Sequence, residues 1–168
     1  MRFPLLVCFV LAGFPVGGAA RIANGPIPDS LSFEAASWGR TLVQWTVERA
    51  GTGRYTTSRK VPSGDSSHYD LVTRSFRISA DDYGRLEVLL RPARTYAGKD
   101  LPCRHVLEDR VYGVVRWGGE QQLAFNFGCL SKKVVPIYQS FRDADMLVRR
   151  LAEAGIVVET KELRSRAP

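Results

Sequence analysis

Two histidines and three cysteines are the side chains best suited to nucleophilic or metal chemistry in this chain of 168 residues. Such chemistry needs a nucleophile or metal with a base in reach. Cys103-x-His105, with Cys129 and His68, could offer zinc two sulfurs and two nitrogens. Structural zinc sites set the ligands of each pair two to four residues apart, whereas here one pair is split across a long gap, so the spacing predicts no metal. Ser66, Ser67, His68 and Asp70 contain the residue types of a hydrolase triad. A triad converges from separate elements, however, and clustering along the chain does not make one. No Gly-x-Ser-x-Gly elbow, phosphate-binding glycine loop or His-Glu-x-x-His helix occurs. Glu108 with Asp109, and Asp81 with Asp82, are adjacent carboxylates at solvated or capping positions, not two acids placed across a glycosidic bond. The residues assign no catalytic group, no metal and no cofactor.

The cysteines carry a different reading. Arg2, the apolar run Phe3 to Val16 and the small residues Gly17-Gly18-Ala19-Ala20 have the layout of a secretory signal, cleaved after Ala20. A spanning helix is the competing reading, but Pro15 and the paired glycines break it where a span must continue. The leader removes Cys8 and leaves Cys103 and Cys129, an even pair that in an exported chain predicts a disulfide. Closing that loop of about 27 residues restricts the unfolded chain by about 3.5 kcal/mol in the entropy model. Neither cysteine belongs to a Cys-x-x-Cys arrangement that would tune a reactive thiol. No lipid-acceptor cysteine follows the leader and no Asn-x-Ser/Thr sequon is present, which fits a periplasmic or secreted protein.

Charge points to a partner class without naming it. The net charge of +7 falls to +6 when Arg2 leaves with the leader. Such a surface attracts phospholipid headgroups, acidic glycans or nucleic acid, and specifies none of them. The stretch from Arg91 to Glu108 carries Arg91, Arg94, Lys99 and Arg104 and has no clean period, so it reads as a long loop, a length that is functional or tied down. Trp38, Trp45, Trp117, Tyr55 and Tyr112 near Arg54, Arg59 and Arg116 could form an aromatic platform. Trp45 and Trp117 share faces with valines and are expected inside, which leaves Tyr112 and Arg116 on the opposite face. The expected binding residues are therefore Arg54, Arg59, Tyr112 and Arg116 on a basic sheet face, and His105 in the loop.

The elements that position these groups follow from periodicity. A loose N-terminal segment, 21–40, precedes the domain. Thr41 to Glu48 alternates Val43, Trp45 and Val47 against polar neighbours; Ala50 to Gly53 supplies a turn, and Tyr55 to Val61 returns as a polar edge strand. Pro62 to Asp65 ends it, and Tyr69 to Ile78 is the third strand. Ser79 then caps a helix carrying Tyr83, Leu86, Leu89 and Leu90 up to Pro92. Val111 to Trp117, Gly118-Gly119 and Leu123 to Phe127 form a hairpin. After Pro136 a second helix places Ile137, Phe141, Ala144, Val148 and Leu151 on one stripe until Gly155. Ile156 to Val158 is a last strand or a packed tail, and 159–168 is a polar tail. The expected fold is α+β, one antiparallel sheet of about five strands with two helices on one face, order β-β-β-α-β-β-α, in a single domain over 41–158.

A tryptophan-bearing strand (Trp45), a Gly-x-Tyr turn (Gly53, Tyr55) and a Tyr-x-x-Leu helix (Tyr83, Leu86) come first. Cys103 then precedes an Asp-x-x-Tyr-Gly strand (Asp109, Tyr112, Gly113) with Trp117, and Phe127-Gly128-Cys129 precedes the last helix. This series resembles small exported bacterial proteins of unknown function over about two thirds of the chain. The resemblance implies this fold and brings no catalytic residue. The expectation is thus an exported non-catalytic domain that binds an anionic envelope component or another protein through its basic sheet face or loop. No specific nucleic acid is expected, and the membrane is met only through an uncleaved signal. A hydrolase-like enzyme would need a pocket where His105 faces a carboxylate such as Asp109. An inhibitory or structural partner would show an apolar patch on an edge strand or loop.

Overall fold

A computed structural model describes residues 27–61, 68–119 and 121–164. The leader at 1–20, residues 21–26, the turn expected at 62–65, Ser66 and Ser67 lie outside the described residues. The chain runs β1 (Ser30–Ser37), β2 (Arg40–Glu48), β3 (Thr52–Lys60), β4 (His68–Arg77), α1 (Ala80–Arg94), β5 (Tyr112–Trp117), β6 (Gln121–Asn126), a 3-10 turn at Lys132–Val134, α2 (Val135–Glu153) and β7 (Ile156–Arg164). The strands form one sheet in the order β6-β5-β1-β2-β3-β4-β7. Every neighbouring pair is antiparallel.

The five expected strands and both helices are present within a few residues of their expected bounds, but the strand count and order need correction. The sheet has seven strands, and the order is β-β-β-β-α-β-β-α-β. The first addition lies inside the stretch read as loose, 21–40. Leu31, Phe33 and Ala35 alternate with Ser32, Glu34 and Ala36, and all three of the former are buried, so β1 is an amphipathic strand. It pairs on one side with β2 and on the other with β5. The second addition, β7, takes in most of the expected polar tail. It is exposed along nearly its whole length and is held by its ladder to β4 rather than by burial.

Register places the apolar side chains on one face. Leu31, Phe33 and Ala35 stand opposite Val47, Trp45 and Val43 on one side and Trp117, Val115 and Gly113 on the other. Both helices close this face: Tyr83, Leu86, Leu90 and Ala93 of α1, and Ile137, Phe141, Ala144, Val148 and Ala152 of α2, join the strand residues in one core. Phe33 sits at its centre, with ring centroids 5.6 Å from Trp45, 5.4 Å from Phe125 and 5.9 Å from Phe141. Gly53 is required here because a Cβ would overlap the Phe76 ring lying across it from β4. The opposite face carries Ser32, Gln44, Thr46, Arg54, Thr56, Ser75 and Arg116, the polar half of the alternation that an antiparallel sheet turns to water.

Ser79 caps α1 as expected, accepting the Asp82 N–H at 3.0 Å. Helix α1 runs past Pro92 to Arg94, and Pro92, with no N–H, gives up the bond that the Val88 carbonyl would otherwise accept.

Candidate binding cleft

Two loops meet at the end of the sheet where β5 begins and β6 ends. The α1–β5 loop supplies Cys103 and the β6–α2 loop supplies Cys129. These form a disulfide with Cα atoms 5.6 Å apart. With no thiol proton in the bonded form, the 3.0 Å approach of Cys103 Sγ to the His105 carbonyl oxygen is a contact rather than a donated bond. Backbone bonds extend the join: Val106 and Cys129 form an antiparallel bridge, and the Leu107 N–H donates to the Gly128 carbonyl at 3.0 Å.

Asn126 organises the turn between β6 and the bridge. Its Oδ1 accepts the Gly128 N–H at 2.7 Å, and its carbonyl accepts the Cys129 N–H at 3.0 Å and the Tyr138 hydroxyl at 2.6 Å. Burial raises the Tyr138 pKa, which keeps the hydroxyl a donor. A Cβ on Gly128 would overlap the Leu107 carbonyl oxygen, so only glycine lets the two loops approach this closely.

The join leaves an open cleft of about 640 Å³ lined by Leu101, Pro102, Cys103, Arg104, His105, Leu130, Ser131 and Lys133. Among the described residues no carboxylate lines it. Leu130 in the lining is 68% exposed, and Val106, Leu107 and Val135, close to lining residues along the chain, are exposed too. Lys132 is exposed beside them. The turn between β1 and β2 falls at the same end of the sheet. It presents Trp38, 67% exposed at φ 51°, and is tied to β5 where the Gly39 N–H donates to the Tyr112 hydroxyl at 3.2 Å. Cationic and apolar groups are therefore collected at one end of the molecule.

The other expected site residues do not converge. Arg54 on β3 and Tyr112 and Arg116 on β5 share the open face, but β2 and β1 lie between them, a separation of about 14 Å at ordinary strand spacing. Arg116 comes within 4.0 Å of Glu34, so its charge is partly answered on that face. Arg59 is corrected to the helix-side face, where it pairs with Asp70 across the β3–β4 ladder at 3.2 Å. Trp45 and Trp117 are buried as expected. His68 accepts from Arg164 Nε at 2.8 Å, so it stands in β4 as part of the ladder to β7 while the two sulfurs hold each other. Among the described residues, no group of three or more His, Cys, Asp or Glu could hold a metal. Asp109 does not line the cleft that His105 enters.

One polar group escaped the sequence reading. Asp145 on α2 adjoins a small apolar cavity of about 140 Å³ between the helix and the sheet, lined also by Phe33, Ala35, Leu42, Val43, Val111, Phe127, Phe141 and Arg142. Burial raises its pKa, partly offset by Arg149 and by the Trp45 and Tyr55 side chains. Those two donors favour the carboxylate, yet Asp145 Oδ1 and Trp45 Nε1 complete no hydrogen bond of good geometry. The Tyr55 pKa is raised, chiefly by burial and next by the Asp145 charge. Position 145 follows the apolar stripe residue Ala144, which was the one available signal.

Comparison with protein-family models, curated proteins and solved structures finds no match to this chain. The likeness to exported bacterial proteins accordingly rests on its motifs alone. Among the described residues, no helix is long and apolar enough to cross a membrane.

Proposed function

We propose that this is an exported, non-catalytic domain that docks on anionic lipid surfaces through the disulfide-joined end of its sheet. The observation that carries the reading is the lining of the cleft: Arg104, His105 and Lys133 with no carboxylate among the described residues, beside exposed Leu130, with exposed Val106 and Val135 close along the chain. Basic side chains near an anionic membrane each contribute about 1 kcal/mol, and apolar side chains beside them add burial in the headgroup region. Exposed Trp38 suits the same interface, because an indole is apolar in body and polar at one edge. The leader and the disulfide agree with an oxidising compartment where such membranes are met. The binding residues of this reading are Arg104, His105, Lys132 and Lys133, in place of the dispersed arginines of the open sheet face.

Trp38 supplies the readout, since Trp45 and Trp117 are already buried. Mixing the mature, oxidised protein with phosphatidylglycerol vesicles is expected to shift tryptophan emission to the blue at low salt and less at high salt. Phosphatidylcholine vesicles should leave it unchanged. Arg104→Ala with Lys133→Ala should weaken vesicle binding by about thirtyfold, the equivalent of about 1 kcal/mol for each charge. Equal binding to neutral and anionic vesicles, or no loss in the double variant, would overturn the proposal.

A further inference from the structure

Strand β7 ends the sheet with one edge unpaired, because β4 occupies only the other. A free edge is a template for another strand, and proteins usually guard it with charge, proline or a covering element. Among the described residues nothing covers β7: Ile156, Val157 and Val158 are 71%, 50% and 45% exposed, and only Leu163 along the strand is partly buried. Its charges alternate in sign, Glu159, Lys161, Glu162 and Arg164, and that pattern does not repel a copy of itself in every register.

We infer that β7 pairs with β7 of a second copy of this chain, antiparallel about a two-fold axis through Thr160. A two-fold normal to a continuous sheet keeps each side chain on its own face, so residues directly opposite must share a face. Glu159 and Lys161 do so, since they pair with Thr73 and Leu71 on the same face of β4. Thr160 is the midpoint of Ile156–Arg164, and the regular ladder runs over Glu159–Lys161, because the bulge at Val158 turns Val157 and Ile156 to the faces opposite those of Leu163 and Arg164. This register sets Glu159 opposite Lys161 of the second copy, and by symmetry does so twice.

Sliding the pairing by one step of the two-residue repeat puts Lys161 opposite its own copy in one direction and Glu159 opposite its own copy in the other. Like charges directly opposite destabilise a ladder. The charges therefore select one register instead of forbidding pairing. The β4–β7 bulge between Thr73 and Arg74 lies outside the Glu159–Lys161 segment. Next to it, Ile156–Val158 comes alongside Glu162–Arg164 of the second copy and loses exposure.

The other free edge, β6, is shorter and carries no charge in Gln121–Asn126, so it encodes no such register. A contact between two edge strands falls in the small, reversible interface class, so the dimer forms and dissociates with concentration.

Sedimentation of the mature, oxidised protein over a range of concentrations tests the inference together with two sets of variants. Glu159→Lys should weaken self-association by about tenfold, and adding Lys161→Glu should restore it, because the exchange rebuilds both opposite-charge pairs. Thr160→Cys, at the axis, should give a disulfide-linked dimer under mild oxidation far faster than Val158→Cys. A monomer at every concentration, a charge reversal without effect, a double exchange that fails to recover, or equal cross-linking at both cysteines would each overturn the assignment. All four positions are at the surface, and circular dichroism of each variant checks that it folds.

Discussion

Replacing Cys103 and Cys129 together by alanine should cost the protein about 3.5 kcal/mol of unfolding free energy, because the chain between them, 26 positions in separation, is no longer closed in the unfolded state. Against a domain stability of about 5–15 kcal/mol this is a large fraction. With a urea dependence of about 1–3 kcal/mol per molar, the unfolding midpoint should fall by about 1–3.5 M. The assay is urea unfolding followed by fluorescence of Trp45 and Trp117, whose burial makes them reporters of the core. Adding reductant to the unsubstituted protein should reproduce the shift. Two contacts would still join the loops, the bridge between Val106 and Cys129 and the bond from the Leu107 N–H to Gly128. They are formed only in the folded state, so they cannot restrict the unfolded chain. An unfolding free energy unchanged within about 0.5 kcal/mol would refute the reasoning, since it would mean that the unfolded chain is already held compact without the bond.

Phe33→Ala should destabilise by about 3–5 kcal/mol in the same urea experiment, as the ring stacks on Trp45 and Phe125 and touches Phe141 at the centre of the core. A cost below about 1 kcal/mol would show that Phe33 is not at the centre of the core. Asp145→Asn should change how stability depends on pH. Burial raises the folded-state pKa of this carboxyl above its unfolded value, so the unfolded chain binds fewer protons between the two values. Its contribution is full below the unfolded pKa and is lost as pH rises through the folded one. The neutral amide removes that loss, so the variant should gain on the unsubstituted protein as pH rises above the ordinary carboxyl value of 3.8. A difference between the two that stays constant as pH rises would contradict the assigned shift.

The elements that announced themselves were those whose two sides meet different surroundings. Val43, Trp45 and Val47 in β2, and the Leu123–Phe125 arm of β6, lie between a covered face and an open one, and their alternation follows from that. Strand β1 carries the same signal in Leu31, Phe33 and Ala35 but was hidden by the Gly, Pro and Asn residues before it and by two alanines and three serines that blur the contrast. Strand β7 signalled itself only in Ile156–Val158, which reads as a last strand or a packed tail; with both sides exposed, Glu159 to Arg164 has no reason to alternate in hydropathy, and its order comes from the backbone of β4.

At the site, the Cys103–Cys129 pair was legible because, once Cys8 is read as part of a leader, each remaining cysteine has one obvious partner. The grouping of Arg104 with Lys133 and Leu130 was not, since it depends on where that bond brings two distant loops. Arg54 and Arg59 are an odd number of residues apart in one strand and so face opposite ways; Arg59 shares the face of Tyr55, where it pairs with Asp70.

The place of β1 in the sheet governs the order in which the molecule can be completed. It is the earliest strand to be synthesised, and β2 follows at once to take one of its edges, but the other stays vacant until Tyr112–Trp117 arrive roughly eighty residues later, a separation of the kind that slows folding. Throughout that interval Leu31 and Phe33 have only half of their eventual neighbours. A nascent chain paused before β5 therefore keeps one edge of β1 open, with Leu31 and Phe33 not yet covered on that side.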